Sequence, residues 1–263
     1  MARPPKTAPS EVPAYPRGLP DGSRSSLAGW AIFLDIDGTL LDIAETPEAV
    51  RIPEGLTPDL VRLSRKLDGA LALVTGRSIA FVDEIFRGAR FPVAGLHGAE
   101  RRDAMGRISH VELTPDFLRA KDELKERALA WPDILVEDKH AAIAVHYRQA
   151  PQHERDMQEL MREIAAIAGP KWTLQQGKMV TELRPAAHDK GHALAAFMAD
   201  PPFSARRPLA FGDDVTDEAM FRAANAADGL SVRIGGPSDG TSAAGLFMES
   251  PATLRSWLSE IAQ

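Results

Sequence analysis

The sequence predicts an α/β fold with a parallel sheet, interrupted by a smaller inserted α+β domain. Three observations carry this. Short apolar runs without alternation recur at Ala31–Leu34, Ala70–Val74, Pro92–Leu96 and Pro208–Phe211. Strands buried on both faces read this way, and parallel sheets are built from them. Helical spacing fills the intervals, and between about 109 and 185 the pattern changes to helix followed by hairpin, twice.

Residues 1–27 come first. Prolines fall at 4, 5, 9, 13, 16 and 20, among Gly, Ser and charged residues. Such a segment buries too little apolar surface to offset its ordering entropy, so a flexible Pro-rich arm is expected. From Trp30, strand and helix alternate in a Rossmann-like manner. Leu56-Leu60-Leu63-Leu67 and Ile79-Val82-Ile85-Phe86 have helical spacing. In the middle, 115–130 reads as a charged helix, 134–139 with 142–148 as a hairpin, 152–167 as a second helix, and 172–176 with 179–184 as a second hairpin. Helix–strand alternation resumes at Lys190 and closes with Leu254-Leu258-Ile261. The expected division is a core of 28–108 plus 186–263 and an inserted α+β domain of 109–185.

Composition narrows the function. Net charge is -6, which argues against a general nucleic-acid binder, since phosphate contacts need clustered Lys and Arg. The chain has no cysteine, so disulfides and thiolate catalysis are excluded. This fits the cytoplasm. The start Met1-Ala2-Arg3-Pro4-Pro5-Lys6 lacks the apolar stretch of a signal peptide. No run approaches the roughly 20 apolar residues of a spanning helix.

Four stretches carry chemistry, each just after an apolar run or at a helix start, where open α/β sheets bind ligands. Asp35-Ile36-Asp37-Gly38-Thr39 follows the first run. A carboxylate there can attack phosphorus, and a second, two residues on, can protonate a leaving oxygen. The plain alternative is two solvated acids in a loop. Thr75-Gly76-Arg77-Ser78 ends the second run; its hydroxyl and amides can hold a phosphate oxygen, or merely cap a helix. Lys190 opens a later helix, where a lone lysine is more often a surface charge. Asp213-Asp214-Val215-Thr216-Asp217-Glu218 follows the last run. Acids so dense suit a hard cation such as Mg²⁺; an acidic helix start explains Glu218 but not Asp213 or Asp214.

In this order and at these strand ends, the set resembles the haloacid dehalogenase (HAD) superfamily of phosphotransferases, across all four of its motifs and the whole core. The resemblance implies Asp35 as nucleophile and Asp37 as general acid/base. Thr75 and Lys190 would hold the phosphate. Asp35, the backbone carbonyl of Asp37 and Asp213 would bind Mg²⁺, with Asp214 and Asp217 in support. The insertion matches a C2-type cap.

Further stretches narrow the resemblance. Gly95-Leu96-His97-Gly98-Ala99-Glu100, Lys139, His146-Tyr147-Arg148 and Gly177-Lys178 through Glu182-Leu183-Arg184-Pro185 look like the trehalose-6-phosphate phosphatase family. No catalytic position departs from that pattern, and the N-terminal arm lies outside it. The resemblance implies a sugar phosphate substrate contacted by Gly76, Arg77, His97, Lys139, His146, Arg148, Lys178 and Glu182. It makes a trehalose-6-phosphate synthase of the same pathway a candidate partner. Strand periodicity agrees, since His146 shares a face with Arg148 and Glu182 with Arg184.

The rivals are a related phosphatase for sucrose phosphate or mannosyl-phosphoglycerate, a sugar phosphomutase, and a catalytically silent binding module. A silent module would be expected to lack the nucleophile or the metal acids. A P-loop phosphotransferase is disfavoured, because no G-x-x-x-x-G-K-[ST] occurs.

Overall fold

A computed structural model describes residues 15–43, 50–177, 179–236 and 242–263. In chain order, α1 (Arg24–Leu27) leads into β1 (Trp30–Leu34), α2 (Leu56–Lys66), β2 (Leu71–Val74), α3 (Ile79–Ile85), β3 (Val93–Gly95), β4 (Glu100–Arg102) and β5 (Ile108–His110). Then come α4 (Pro115–Ala128), β6 (Leu135–Asp138), β7 (Ile143–His146), α5 (Glu154–Ala168), β8 (Trp172–Gly177) and β9 (Val180–Pro185). The chain continues with α6 (Lys190–Met198), β10 (Arg207–Gly212), α7 (Glu218–Ala226), β11 (Leu230–Ile234), β12 (Leu246–Met248) and α8 (Pro251–Ala262).

The large sheet has the order β12-β11-β10-β1-β2-β3-β4-β5. Its strands from β12 to β3 are parallel, and β4 and β5 join antiparallel. The unalternating runs of β1 and β2 are buried at every residue, as a sheet covered on both faces requires. Burying each Leu, Ile or Phe of this kind contributes about 1.5–3 kcal/mol. Helix starts follow local chemistry. Ser78, Thr114, Asp189 and Ser250 each accept an amide of the following first turn. Pro115 and Pro251 occupy the first turns of α4 and α8, where a missing N–H costs nothing.

The inserted α+β cap is a four-stranded antiparallel sheet, β6-β7-β9-β8. One face packs on α4 and α5 through Phe117, Leu124, Ile143, Val145, Leu160, Ile164 and Leu183. Phe117 stacks on Trp172 at 3.5 Å between ring centroids. The other face carries Glu137, Ala144, His146, Glu182 and Gln175, which register places side by side.

Two expectations need correction, and one element was not anticipated. The arm does not extend to residue 27. Leu27 is fully buried, and Tyr15 and Leu19 pack on the core, because apolar side chains punctuate the prolines. Its first 14 residues lie outside the described ones. The β4–β5 hairpin widens the core sheet, although Glu100, Arg101 and Arg102 do not read as strand. Arg102 is buried because its guanidinium meets Asp83 at 2.8 and 2.7 Å and the Phe91 carbonyl at 2.9 Å. Arg148 does not share a strand face with His146: β7 ends first. Tyr147 turns its ring into the cap core, and Arg148 lies exposed in the turn that follows.

Candidate active site

The carboxyl ends of β1, β2 and β10 meet the start of α6 in one place. Asp35 continues β1, its amide donating to the Phe211 carbonyl at 3.0 Å, and is only 4 % exposed. Lys190, 2 % exposed, reaches in from the first turn of α6. Its ammonium lies 2.7 Å from Asp35 Oδ1 and 2.7 Å from Asp217 Oδ1. The Thr39 hydroxyl stands 2.8 Å from Asp213 Oδ1 and 3.4 Å from Asp35 Oδ2, tying the β1 loop to the β10 loop. Gly38 makes that approach feasible. Its φ is 82°, and a Cβ there would drive into the Asp213 carboxylate.

Asp217 is the anchor of the β10 loop. Its Oδ2 accepts the amides of Asp213 and Asp214, both at 3.0 Å, while Oδ1 takes Lys190. The Asp214 carboxylate turns away to cap its own 3-10 turn, accepting the Val215 amide at 2.7 Å. The expected acidic group therefore contracts. Carboxylate oxygens of Asp35, Asp213 and Asp217 lie within 4.8 Å of one another. Asp214, expected in support of a metal, is exposed and outside the group.

Asp37 is held apart from this cluster. Arg77 grips its carboxyl group with two bonds of 2.8 Å, a bidentate geometry that fixes its orientation. The Arg77 guanidinium also lies over the Phe81 ring, 4.6 Å from its centroid. Thr75 is fully buried and accepts the Arg77 amide at 3.1 Å. Gly76 backs onto the His97 ring.

Two buried carboxylates, Asp35 and Asp217, and the half-buried Asp213 stand around one ammonium, and the electrostatics register the excess. Burial pushes Asp35 well above the usual carboxylate range; Lys190 opposes this, and Asp217 and Asp213 add to it. Asp213 is raised to about 6, first by burial and then by Asp217, against the Thr39 hydrogen bond. Burial works against the Lys190 charge, but Asp217 and Asp35 outweigh it and the lysine is held firmly protonated. An all-oxygen group with an excess of negative charge fits a divalent metal ion.

The cap presents its polar face to the same place. Lys139 lies 3.5 Å from Glu182 Oε2 and 3.6 Å from Glu137 Oε2, and Glu137 Oε2 is 2.9 Å from His146 Nε2. His97 is pushed down to about 3 by burial, with Lys190, Arg184 and Lys139 adding to the effect. Core and cap cations thus converge on one imidazole, which is neutral at physiological pH. Lys178 lies outside the described residues, and Arg148 is not drawn into the constellation.

Sequence reasoning assigned no role to Thr39, Glu100 or Glu137. The first two stood inside motifs and carried a signal; Glu137 carried none beyond its strand register with Ala144.

The family model of trehalose-phosphatase matches residues 33–249, which span every element of this site. The chain belongs to the trehalose-phosphatase family. It is a phosphatase, a phosphoric monoester hydrolase. A protein of Sinorhizobium fredii (strain NGR234) described as a probable trehalose-phosphate phosphatase is 54% identical over 221 residues, covering 84% of this chain and 83% of that one. The trehalose-6-phosphate phosphatase of Escherichia coli K12 is 44% identical over 211 residues, covering 79% and 78%. Among solved structures, a trehalose-6-phosphate phosphatase related protein superposes with a TM-score of 0.71 at 28% identity, over 88% of this phosphatase and 96% of that chain. Among the described residues no helix is long and apolar enough to cross a membrane.

Proposed function

We propose that the phosphatase hydrolyses trehalose 6-phosphate to trehalose and phosphate, with Mg²⁺, through an aspartyl-phosphate on Asp35. The observation that carries this is the group formed by buried Asp35 and Lys190 with half-buried Asp213, with Asp37 oriented separately by Arg77. That separation gives two carboxylates two roles. Asp35 Oδ attacks phosphorus, and the bond from phosphorus to the sugar oxygen breaks. Asp37 gives its proton to that oxygen and trehalose leaves. Asp37 then takes a proton from water, whose oxygen attacks the same phosphorus. The bond to Asp35 breaks, phosphate is released, and the Asp35 carboxylate is regenerated. Lys190, Thr75 and the Gly76 amide hold the phosphoryl oxygens in line, so most of the work is positioning and electrostatics.

Asp35, the Asp37 carbonyl and Asp213 are the proposed Mg²⁺ ligands, and Asp217 anchors the loop that presents Asp213. The bound ion would supply positive charge against the phosphoryl oxygens and the crowded carboxylates. His97, Lys139, His146, Lys178 and Glu182 are the proposed sugar contacts, with cap closure excluding bulk water. Arg77 is proposed to act through Asp37 rather than on the sugar, and Arg148 has no supporting contact among the described residues. The same reading takes a trehalose-6-phosphate synthase as supplier of the substrate and the cytoplasm as the location.

The test is phosphate release from trehalose 6-phosphate, sucrose 6-phosphate and glucose 6-phosphate, with Mg²⁺ and with a chelator. The expected result is Mg²⁺-dependent turnover with the highest kcat/KM on trehalose 6-phosphate. A better alternative substrate would refute the specificity, and near-normal turnover by Asp35→Asn would refute the nucleophile.

A further inference from the structure

Glu100 is a buried acid that the reaction sequence does not use. It is 8 % exposed, at the start of β4, beneath two loops of the site. The first loop, Thr75 to Ser78, carries Thr75, Gly76 and Arg77 into α3. The second, Leu96 to Ala99, carries His97. Glu100 Oε1 accepts the amide of Ile79, the first residue of α3. It also fills the space beside Gly95, where an added Cβ would come within 2.6 Å of Oε1 and 2.8 Å of the Arg77 carbonyl. The two loops are stitched directly above it. The Leu96 amide donates to the Arg77 carbonyl at 3.0 Å, and the His97 amide to the Thr75 carbonyl at 3.0 Å. Its other oxygen lies 3.7 Å from His110 Nδ1, beyond hydrogen-bond reach.

An ionised carboxylate is a costly group to bury, and a buried acceptor of this kind is retained where its bond is strong. Here the partner is one amide, and that amide fixes where the loop of Thr75, Gly76 and Arg77 ends. Arg77 in turn sets the Asp37 carboxylate through two bonds of 2.8 Å. We propose that Glu100 is a positioning residue for the reaction, acting through the Ile79 amide to hold the Thr75–Arg77 loop, and through Arg77 to aim Asp37. This rests on the reading that Thr75 and Asp37 serve phosphoryl transfer. Of the proposed sugar contacts among the described residues, Lys139, His146 and Glu182 stand on the cap and only His97 shares these loops, so the effect falls mainly on the chemical step rather than on sugar affinity.

Three variants test it, assayed well below their unfolding midpoints with rates expressed per folded enzyme. Glu100→Ala removes the acceptor. Ile79→Pro removes the donor from the other side, at a position where proline fits: Ser78 has φ -70° and ψ 155°. Glu100→Gln keeps an acceptor oxygen without the charge. The first two are expected to lower kcat by about 10- to 100-fold, the cost of a loop displaced by about an ångström, with KM moving less than about threefold. Glu100→Gln is expected to return kcat to within about fivefold of the parent, since the geometry survives. Parent-like kcat in folded Glu100→Ala or folded Ile79→Pro would overturn the proposal. So would a Gln variant as slow as the Ala one. Asp35→Asn, assayed alongside, separates the two failures. Retained turnover there sinks the underlying mechanism, whereas lost turnover with a parent-like Glu100→Ala sinks only the role of Glu100.

Discussion

The Lys190 ammonium stands 2.7 Å from the Asp35 carboxylate, with both side chains sealed from solvent. The same ammonium contacts Asp217 at the same distance, so one cation separates two buried anions. Removing one member of such a set leaves uncompensated charge in a low dielectric. Lys190→Met is therefore expected to lose activity and about 3–5 kcal/mol of stability in chelator. Adding Mg²⁺ should raise its thermal midpoint by more than it raises that of the parent, because the ion takes over the neutralising role. A variant with a parent-like midpoint in chelator would contradict this.

Thr39 offers a milder perturbation. Its hydroxyl touches Asp213 at 2.8 Å and touches no proposed reacting atom other than Asp35, at 3.4 Å. Thr39→Val keeps the shape and deletes the donor. Partners that orient metal ligands contribute about 10–100-fold to metal affinity or activity. The expected outcome is a rightward shift of that size in the Mg²⁺ concentration giving half-maximal turnover. A superimposable titration would remove Thr39 from the metal-site argument.

Arg77→Lys tests whether orientation matters beyond charge. Lysine retains the cation but cannot make the paired bonds that fix Asp37. The rate constant kcat should fall by about tenfold or more, while KM for the sugar phosphate stays nearly constant. An unchanged kcat would show that a point charge suffices.

A stability test uses a pair remote from the chemistry. Arg102, 2 % exposed, holds Asp83 below the ordinary carboxylate range, chiefly through their hydrogen bonds. Because the folded-state value is depressed, the stabilisation is present above the unfolded aspartate pKa. It disappears as pH falls through the folded value. Asp83→Asn should lower stability by about 1–3 kcal/mol at pH 7, and the gap to the parent should close below about pH 4. Urea midpoints measured across that range decide it; a gap independent of pH would rule out the ion pair as its source.

The parallel core was legible because β1, β2 and β10 are apolar without alternation, which is the signature of burial on both faces. The meeting of Asp35, Lys190, Asp213 and Asp217 was legible for a related reason, since the strands of such a sheet release their loops at one edge. Other features had no such marker. β4 is Glu-Arg-Arg, and its strand character depends on Asp83 and Phe91 reaching across to satisfy Arg102. The division of labour among the acids of 213–218 was equally hidden. Adjacent acids look alike in sequence, and only the turn geometry shows that Asp214 caps, Asp217 anchors and Asp213 faces inward. Arg148 failed because β7 stops two residues short of it.

β9 runs into α6 with only a short crossing between them, so Glu182 and Lys190 are eight residues apart on one continuous stretch of chain. Arg184 pins that crossing, donating to the carbonyls of Pro185 and His188. On the mechanism proposed above, the group that reads the sugar and the group that grips the phosphate are thus two ends of a single short lever. A substrate whose sugar is too long or too short would pull on that lever at the wrong point. On that proposal the enzyme would measure its substrate as a ruler does, by the span between two marks.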